Sequence, residues 1–259
     1  MWKYIKVVFK CAPYVLFSYF AWMLKYSKHP EKYDIKLRFF KVQKLIRKVL
    51  KAFRVNVSEC NLEQFNSVNP EDPSRLLICN HLSDADPLVF IAYSKRPITF
   101  VSKKEVQKFP LVGRIVKILG GKFIDRDDLK MQLKIFKNIE EEMKNNKGID
   151  WVIFPEGTRN KEHIEEVQEF HYGTFKPAMR NNLDIYVFSI FGTQRVLNGK
   201  CHNKSYFVPL KLNKVITAED YKEFSSIEVS NLAREYCQEG LKEIIEKDKE
   251  LYVKFSKKK

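Results

Sequence analysis

The sequence predicts an α/β protein, a single largely parallel-sheet domain preceded by a basic N-terminal helical segment. Three observations carry this expectation. From residue 76 onward, short apolar runs alternate with helical patterns, as in strands joined by crossover helices. The 259 residues are 44% hydrophobic and 14% aromatic, which is enough to fill one large core and too apolar for a disordered chain. The charge sits at the ends: of a net +15, the first 54 residues carry +12 and the last six +4, so residues 55–253 are close to neutral. The expected division is therefore a basic segment over 1–54 and a folded body over 55–259.

The basic segment has two parts. Residues 11–24 contain no charge and are flanked by Lys3, Lys6 and Lys10 on one side and Lys25 and Lys28 on the other. A spanning helix needs about twenty apolar residues, so an anchor that lies in the interface or inserts partly is expected. No small-residue cleavage site follows Leu24, which argues against a secretory signal. Over 35–53, Ile35, Phe39, Val42, Ile46, Val49 and Phe53 recur at steps of four and three, the period of an amphipathic helix. Its other face carries Lys41, Lys44, Lys48 and Lys51. Such a helix suits an anionic bilayer, where each basic residue contributes on the order of 1 kcal/mol. The other arrangement is a helix packed on the body with its basic face in water. With the charge so placed, anionic membrane lipid is the expected partner and nucleic acid is not.

In the body, residues 55–57 are expected as a short strand, followed by a loop with Pro70 and Pro73. Further strands are expected at 76–79, 98–101, 122–124, 151–154, 185–190 and 206–210. Helices are expected at 87–93, 111–119, 129–144, 174–181 and 227–245. In such a sheet, sites form at strand ends.

Three segments that follow expected strands carry reactive side chains. In NHLSDADP, residues 80–87, His81 leaves a strand and Asp86 enters a helix, so the turn between them can fold the two together. Asp86 ahead of Pro87 also suits a helix N-cap, and the two roles can coexist. A carboxylate accepting from imidazole Nδ1–H leaves Nε2 free as a general base. In GGKFIDR, residues 120–126, paired glycines permit close backbone approach and Arg126 stands at the strand's rim. In FPEGTR, residues 154–159, a strand runs into a tight turn at Gly157, followed by Thr158 and Arg159. Only 11 of the 47 basic residues are Arg, so Arg at both sites together suits the planar fork that grips phosphate, while each taken alone reads as a surface residue. Ser83 lacks the G-x-S-x-G setting of a nucleophile. His29, His163, His171 and His202 lack a paired acid at such a spacing on a strand end. Cys11, Cys60, Cys79, Cys201 and Cys237 include no C-x-x-C pair, which fits a reducing compartment and neither a disulfide framework nor a zinc site. No metal or dissociable cofactor is indicated.

In this order and spacing, His81 with Asp86, GGKFIDR and FPEGTR resemble the first three motifs of the glycerolipid acyltransferases, most closely the branch that acylates lysophosphatidic acid. The likeness covers about residues 55–192 and includes the stretch from Ser102 to Arg126. It implies a membrane enzyme at the cytoplasmic face of the cell membrane that forms phosphatidic acid. The acyl chain would come from acyl carrier protein or acyl-CoA. His81 would be the general base and Asp86 its support. Arg126 and Arg159 would bind the acceptor phosphate, Glu156, Gly157 and Thr158 would shape the acceptor site, and Lys104 would be a further phosphate contact. The fourth motif departs from the pattern, with Asp184 and Val187 where prolines are usual and His171 where a lysine is common. Acceptors of the same chemistry, glycerol 3-phosphate or another lysophospholipid, remain open. From a different class, so does a non-catalytic basic protein that binds membrane or nucleic acid.

Overall fold

The computed structural model describes residues 2–66, 69, 72–196 and 205–256; Pro70, Cys201, His202 and the last three lysines lie outside them. The chain opens with α1 (Trp2–Ser18), which continues through a π-helical turn, Tyr19–Met23, into α2 (Leu24–Lys28). Next come α3 (Ile35–Ala52), β1 (Val55–Cys60), α4 (Leu62–Asn66), β2 (Leu76–Cys79) and α5 (Asp86–Tyr93). β3 (Ile98–Lys103), α6 (Val112–Ile118), β4 (Lys122–Ile124), α7 (Leu129–Asn145) and β5 (Asp150–Ile153) follow. The chain continues with α8 (Lys176–Arg180), β6 (Ile185–Ile190), β7 (Tyr206–Ile216) and α9 (Ser226–Ser256).

The seven strands lie in the order β1-β7-β6-β2-β5-β3-β4. Every neighbouring pair is parallel except β6 with β7. Alternate side chains of the central strands feed two cores, as the two-residue period of a strand requires. Leu77, Cys79, Val152, Tyr186 and Phe188 pack with α3, α5 and α6 on one face. Leu76, Ile78, Trp151, Ile153, Ile185 and Val187 pack with α7 and α9 on the other. Strands buried on both faces read as the continuous apolar runs seen in the sequence.

Several expectations change here. The apolar stripe of the second basic helix does not face a bilayer: Phe39, Val42 and Ile46 are buried in the same core as Val89, Phe90 and Ile118. Gln43 Nε2 donates to the Ile91 and Ser94 carbonyls, at 2.8 and 2.7 Å. The basic segment is thus built into the body, and no core boundary falls after residue 54. The stretch expected as loop after β1 holds α4, whose five residues are too few to show a period but bury Leu62 and Phe65. α9 also runs past its expected end at 245, because Asp248 is buried against the Arg195 guanidinium at 2.6 Å.

Candidate active site

Four adjacent strands, β2, β5, β3 and β4, run parallel, so the segments that follow them emerge at one edge of the sheet. Those segments are NHLSDADP, FPEGTR, the Lys104 turn and Asp125-Arg126. The sheet topology thereby collects the motifs that the sequence scatters over about eighty residues, as the carboxyl ends of a parallel sheet do.

β2 ends in a side-chain splice. Asn80 Nδ2 donates to the Ile190 carbonyl at 3.0 Å, and Ile190 N–H donates back to Asn80 Oδ1 at 2.8 Å, which extends the pairing with β6 by one side chain. His81 follows, with its ring largely buried and stacked on Phe154, centroids 4.4 Å apart at 23°. Its Nδ1 lies 2.7 Å from Asp86 Oδ2. The same oxygen accepts the backbone N–H groups of Leu82 at 2.8 Å and Ser83 at 2.9 Å. An oxygen that already takes two N–H donors is an acceptor, so Nδ1 carries the ring proton and Nε2 keeps its lone pair. Asp86 is the first residue of α5, and its carboxylate closes the turn preceding the helix instead of capping helical N–H groups. The N-cap role is therefore set aside.

The FPEGTR turn grips His81 through its backbone. His81 N–H donates to Glu156 Oε1 at 2.7 Å, and Asn160 N–H donates to the His81 carbonyl at 2.8 Å. Asn160, only 1% exposed, was missed in the sequence because nothing local distinguishes it from a loop asparagine. Glu156 is buried, and its Oε1 is engaged by the His81 main chain. Gly157 has φ +67°, a conformation that favours glycine, and a Cβ there would meet the exposed His171 ring at 2.9 Å. Thr158, Arg126 and Arg159 are exposed. Burial lowers the Arg126 pKa most, Glu105 raises it and the Arg159 charge lowers it. Lys104 Nζ pairs with Asp125 Oδ2 at 3.1 Å, and Arg159 Nη1 pairs with Asp84.

The family profile described as Acyltransferase matches residues 54–191, which include every one of these side chains. This chain belongs to the acyltransferase family. It is 27% identical over 238 residues to a probable 1-acyl-sn-glycerol-3-phosphate acyltransferase of Mycoplasma pneumoniae, covering 83% of this chain and 85% of that one. It is 31% identical over 140 residues to the 1-acyl-sn-glycerol-3-phosphate acyltransferase of Helicobacter pylori, covering 54% and 57% of the two chains. In fold it is similar to the crystal structure of the 1-acyl-sn-glycerophosphate (LPA) acyltransferase PlsC from Thermotoga maritima. The TM-score is 0.69 at 20% identity, over 93% of this chain and 97% of that one.

One consequence of burial in this acyltransferase is measurable. The Glu156 carboxyl is pushed up from 4.5 to about 7 by burial, which outweighs the His81 and Gln168 N–H groups that favour its charged form. Between these values the folded protein holds a proton that the unfolded chain has released, so this group's contribution to stability falls as pH rises. Relative to Glu156→Gln, the native protein is expected to lose on the order of 3 kcal/mol between pH 4.5 and 7. Urea unfolding of both proteins across that range measures it, and parallel stability curves would refute it.

Proposed function

We propose that this acyltransferase moves a fatty acyl chain from a thioester donor, acyl carrier protein or CoA, to the sn-2 hydroxyl of lysophosphatidic acid. The product is phosphatidic acid. The observation that carries the proposal is the 2.7 Å His81–Asp86 pair on the same sheet edge as Arg126 and Arg159. Nε2 takes the hydroxyl proton as the acceptor oxygen attacks the thioester carbonyl. The tetrahedral intermediate then collapses, and the imidazolium returns the proton to the departing thiolate. Asp86, fixed by three donors, supports the imidazolium. A direct transfer of this kind needs no covalent enzyme intermediate, in keeping with the absence of a nucleophile setting at Ser83.

The test is a transfer assay on the purified protein with both donors and a panel of acceptors: lysophosphatidic acid, glycerol 3-phosphate, other lysophospholipids and monoacylglycerol. Lysophosphatidic acid is expected to be used best. Arg126→Ala is expected to raise its KM about tenfold or more, the scale of one charged hydrogen bond. Equal use of monoacylglycerol and lysophosphatidic acid by the native protein would reject the phosphate reading.

We also propose that the enzyme works on the cytoplasmic face of the cell membrane. Among the described residues no helix is long and apolar enough to cross a membrane. The first helix and the π-helical turn after it instead expose an apolar stripe, Phe9, Pro13, Leu16, Phe17 and Phe20, with Phe17 68% and Phe20 69% exposed. Lys10 and Lys25 flank this stripe and Lys44, Lys48 and Lys51 lie exposed on α3, which suits an interfacial helix on anionic lipid. Phe17→Asp or Phe20→Asp is expected to weaken sedimentation with anionic vesicles about tenfold, since each removes a buried aromatic side chain from the lipid. Unchanged binding in both variants would remove the stripe from the membrane contact. Point variants are preferred to deletion of residues 1–54, which would strip Phe39, Val42 and Ile46 from the core.

A further inference from the structure

Asp84 lies between His81 and Asp86, yet the proposed chemistry gives it no role. The turn that presents it is held on both sides: Asp86 N–H donates to the Ser83 carbonyl at 3.1 Å, and Ala85 N–H donates to Ser83 Oγ at 3.1 Å. Its carboxylate, 68% exposed, pairs with Nη1 of Arg159, whose side chain is 38% exposed. The backbone after Arg159 is itself anchored, through Asn160 N–H on the His81 carbonyl at 2.8 Å. A carboxylate and a guanidinium on two anchored turns thus pair at the sheet edge from which Arg126 also emerges.

We infer that Asp84 is an internal counter-anion that occupies Arg159 until the acceptor's phosphate displaces it, and so sets the affinity of the site for phosphomonoesters. The inference rests on the reading that Arg159 binds the acceptor phosphate. An exposed ion pair is weak, typically worth no more than about 1 kcal/mol, so it is readily exchanged. A phosphate monoester carries close to two negative charges near neutral pH and offers three oxygens, which makes it the stronger ligand for the planar fork. The chemistry supplies a reason for such a competitor. Acceptor and product carry the same phosphate, so any grip on the acceptor is also a grip on the product. A carboxylate that recaptures Arg159 lowers both affinities together and favours product release.

The experiment compares native enzyme, Asp84→Asn, Asp84→Glu, Arg159→Ala and the Asp84→Asn/Arg159→Ala double variant. The readouts are the KM for lysophosphatidic acid and the inhibition constants of phosphatidic acid and inorganic phosphate. Asp84→Asn is expected to lower all three constants by a common factor of about three to five, the fold-change of a weak exposed pair. Asp84→Glu is expected to restore native values. In the Arg159→Ala background the Asp84→Asn effect is expected to vanish, because the pair no longer exists. If Arg159→Ala raises KM while Asp84→Asn leaves it unchanged or raises it, Asp84 is only a surface partner or a prop for the turn, and the inference fails while the phosphate role of Arg159 stands. If Arg159→Ala leaves KM and phosphate inhibition unchanged, the role of Arg159 fails and the inference falls with it.

Discussion

His81→Ala is expected to lower kcat by about 10²- to 10⁴-fold, the usual contribution of a positioned general base. The protein should remain folded, because its other contacts at this position are made by the main chain. The Glu156 and Asn160 hydrogen bonds are to the His81 N–H and carbonyl, and alanine keeps both. The side chain removed is the ring between Asp86 and Phe154. Urea unfolding alongside the transfer assay separates the two effects. A folded variant with unchanged turnover would eliminate the proposed mechanism.

The largest expected loss of stability lies at the other end of the sheet. Asp150, wholly buried at the start of β5, faces Arg75 just ahead of β2 and Arg96 just ahead of β3. Arg75 Nη2 lies 2.5 Å from its Oδ2, and Arg96 Nη2 lies 3.2 Å from its Oδ1. The arginines are 4% and 2% exposed. Each also donates to main-chain carbonyls, Arg75 to Phe65 at 3.0 Å and Arg96 to Pro73 at 2.9 Å. Asp150→Ala would leave two buried guanidinium groups without a counter-charge, so a loss of about 3–5 kcal/mol is expected by denaturant titration. A domain of this kind has about 5–15 kcal/mol in all, so the variant would be marginal at best. A loss below about 1 kcal/mol would mean that water reaches these arginines.

Much of the candidate site was legible because its chemistry follows strands closely in sequence. An apolar run that ends in NHLSDADP or FPEGTR announces both the strand and the turn, and β2, β4 and β6 begin and end where their runs do. The scarcity of Arg was a less selective signal. It marks places that need a planar fork, but at least six of the eleven arginines direct it at main-chain carbonyls: Arg38, Arg47, Arg75, Arg96, Arg195 and Arg234. Phosphate is only one acceptor for that fork among several. The stripe on α3 was read correctly as a helix face, but its partner was not, since Phe39, Val42 and Ile46 cover protein and not lipid. Periodicity reports that a face leaves water and is silent on what covers it.

By itself, the sequence determined the alternation of strands and helices, the placement of charge at the ends, and the identities of His81, Asp86, Arg126 and Arg159 as candidates. Tertiary structure alone decided that β7 enters antiparallel beside β6, that Glu156 and Asn160 hold His81 from 75 or more positions away, and that Asp150 unites Arg75 with Arg96. The physical reason is range. Local periodicity and turn chemistry act over a few residues and leave a trace in the order of the letters. Strand order is set by which apolar faces bury one another, and it brings distant residues together without any mark at either position.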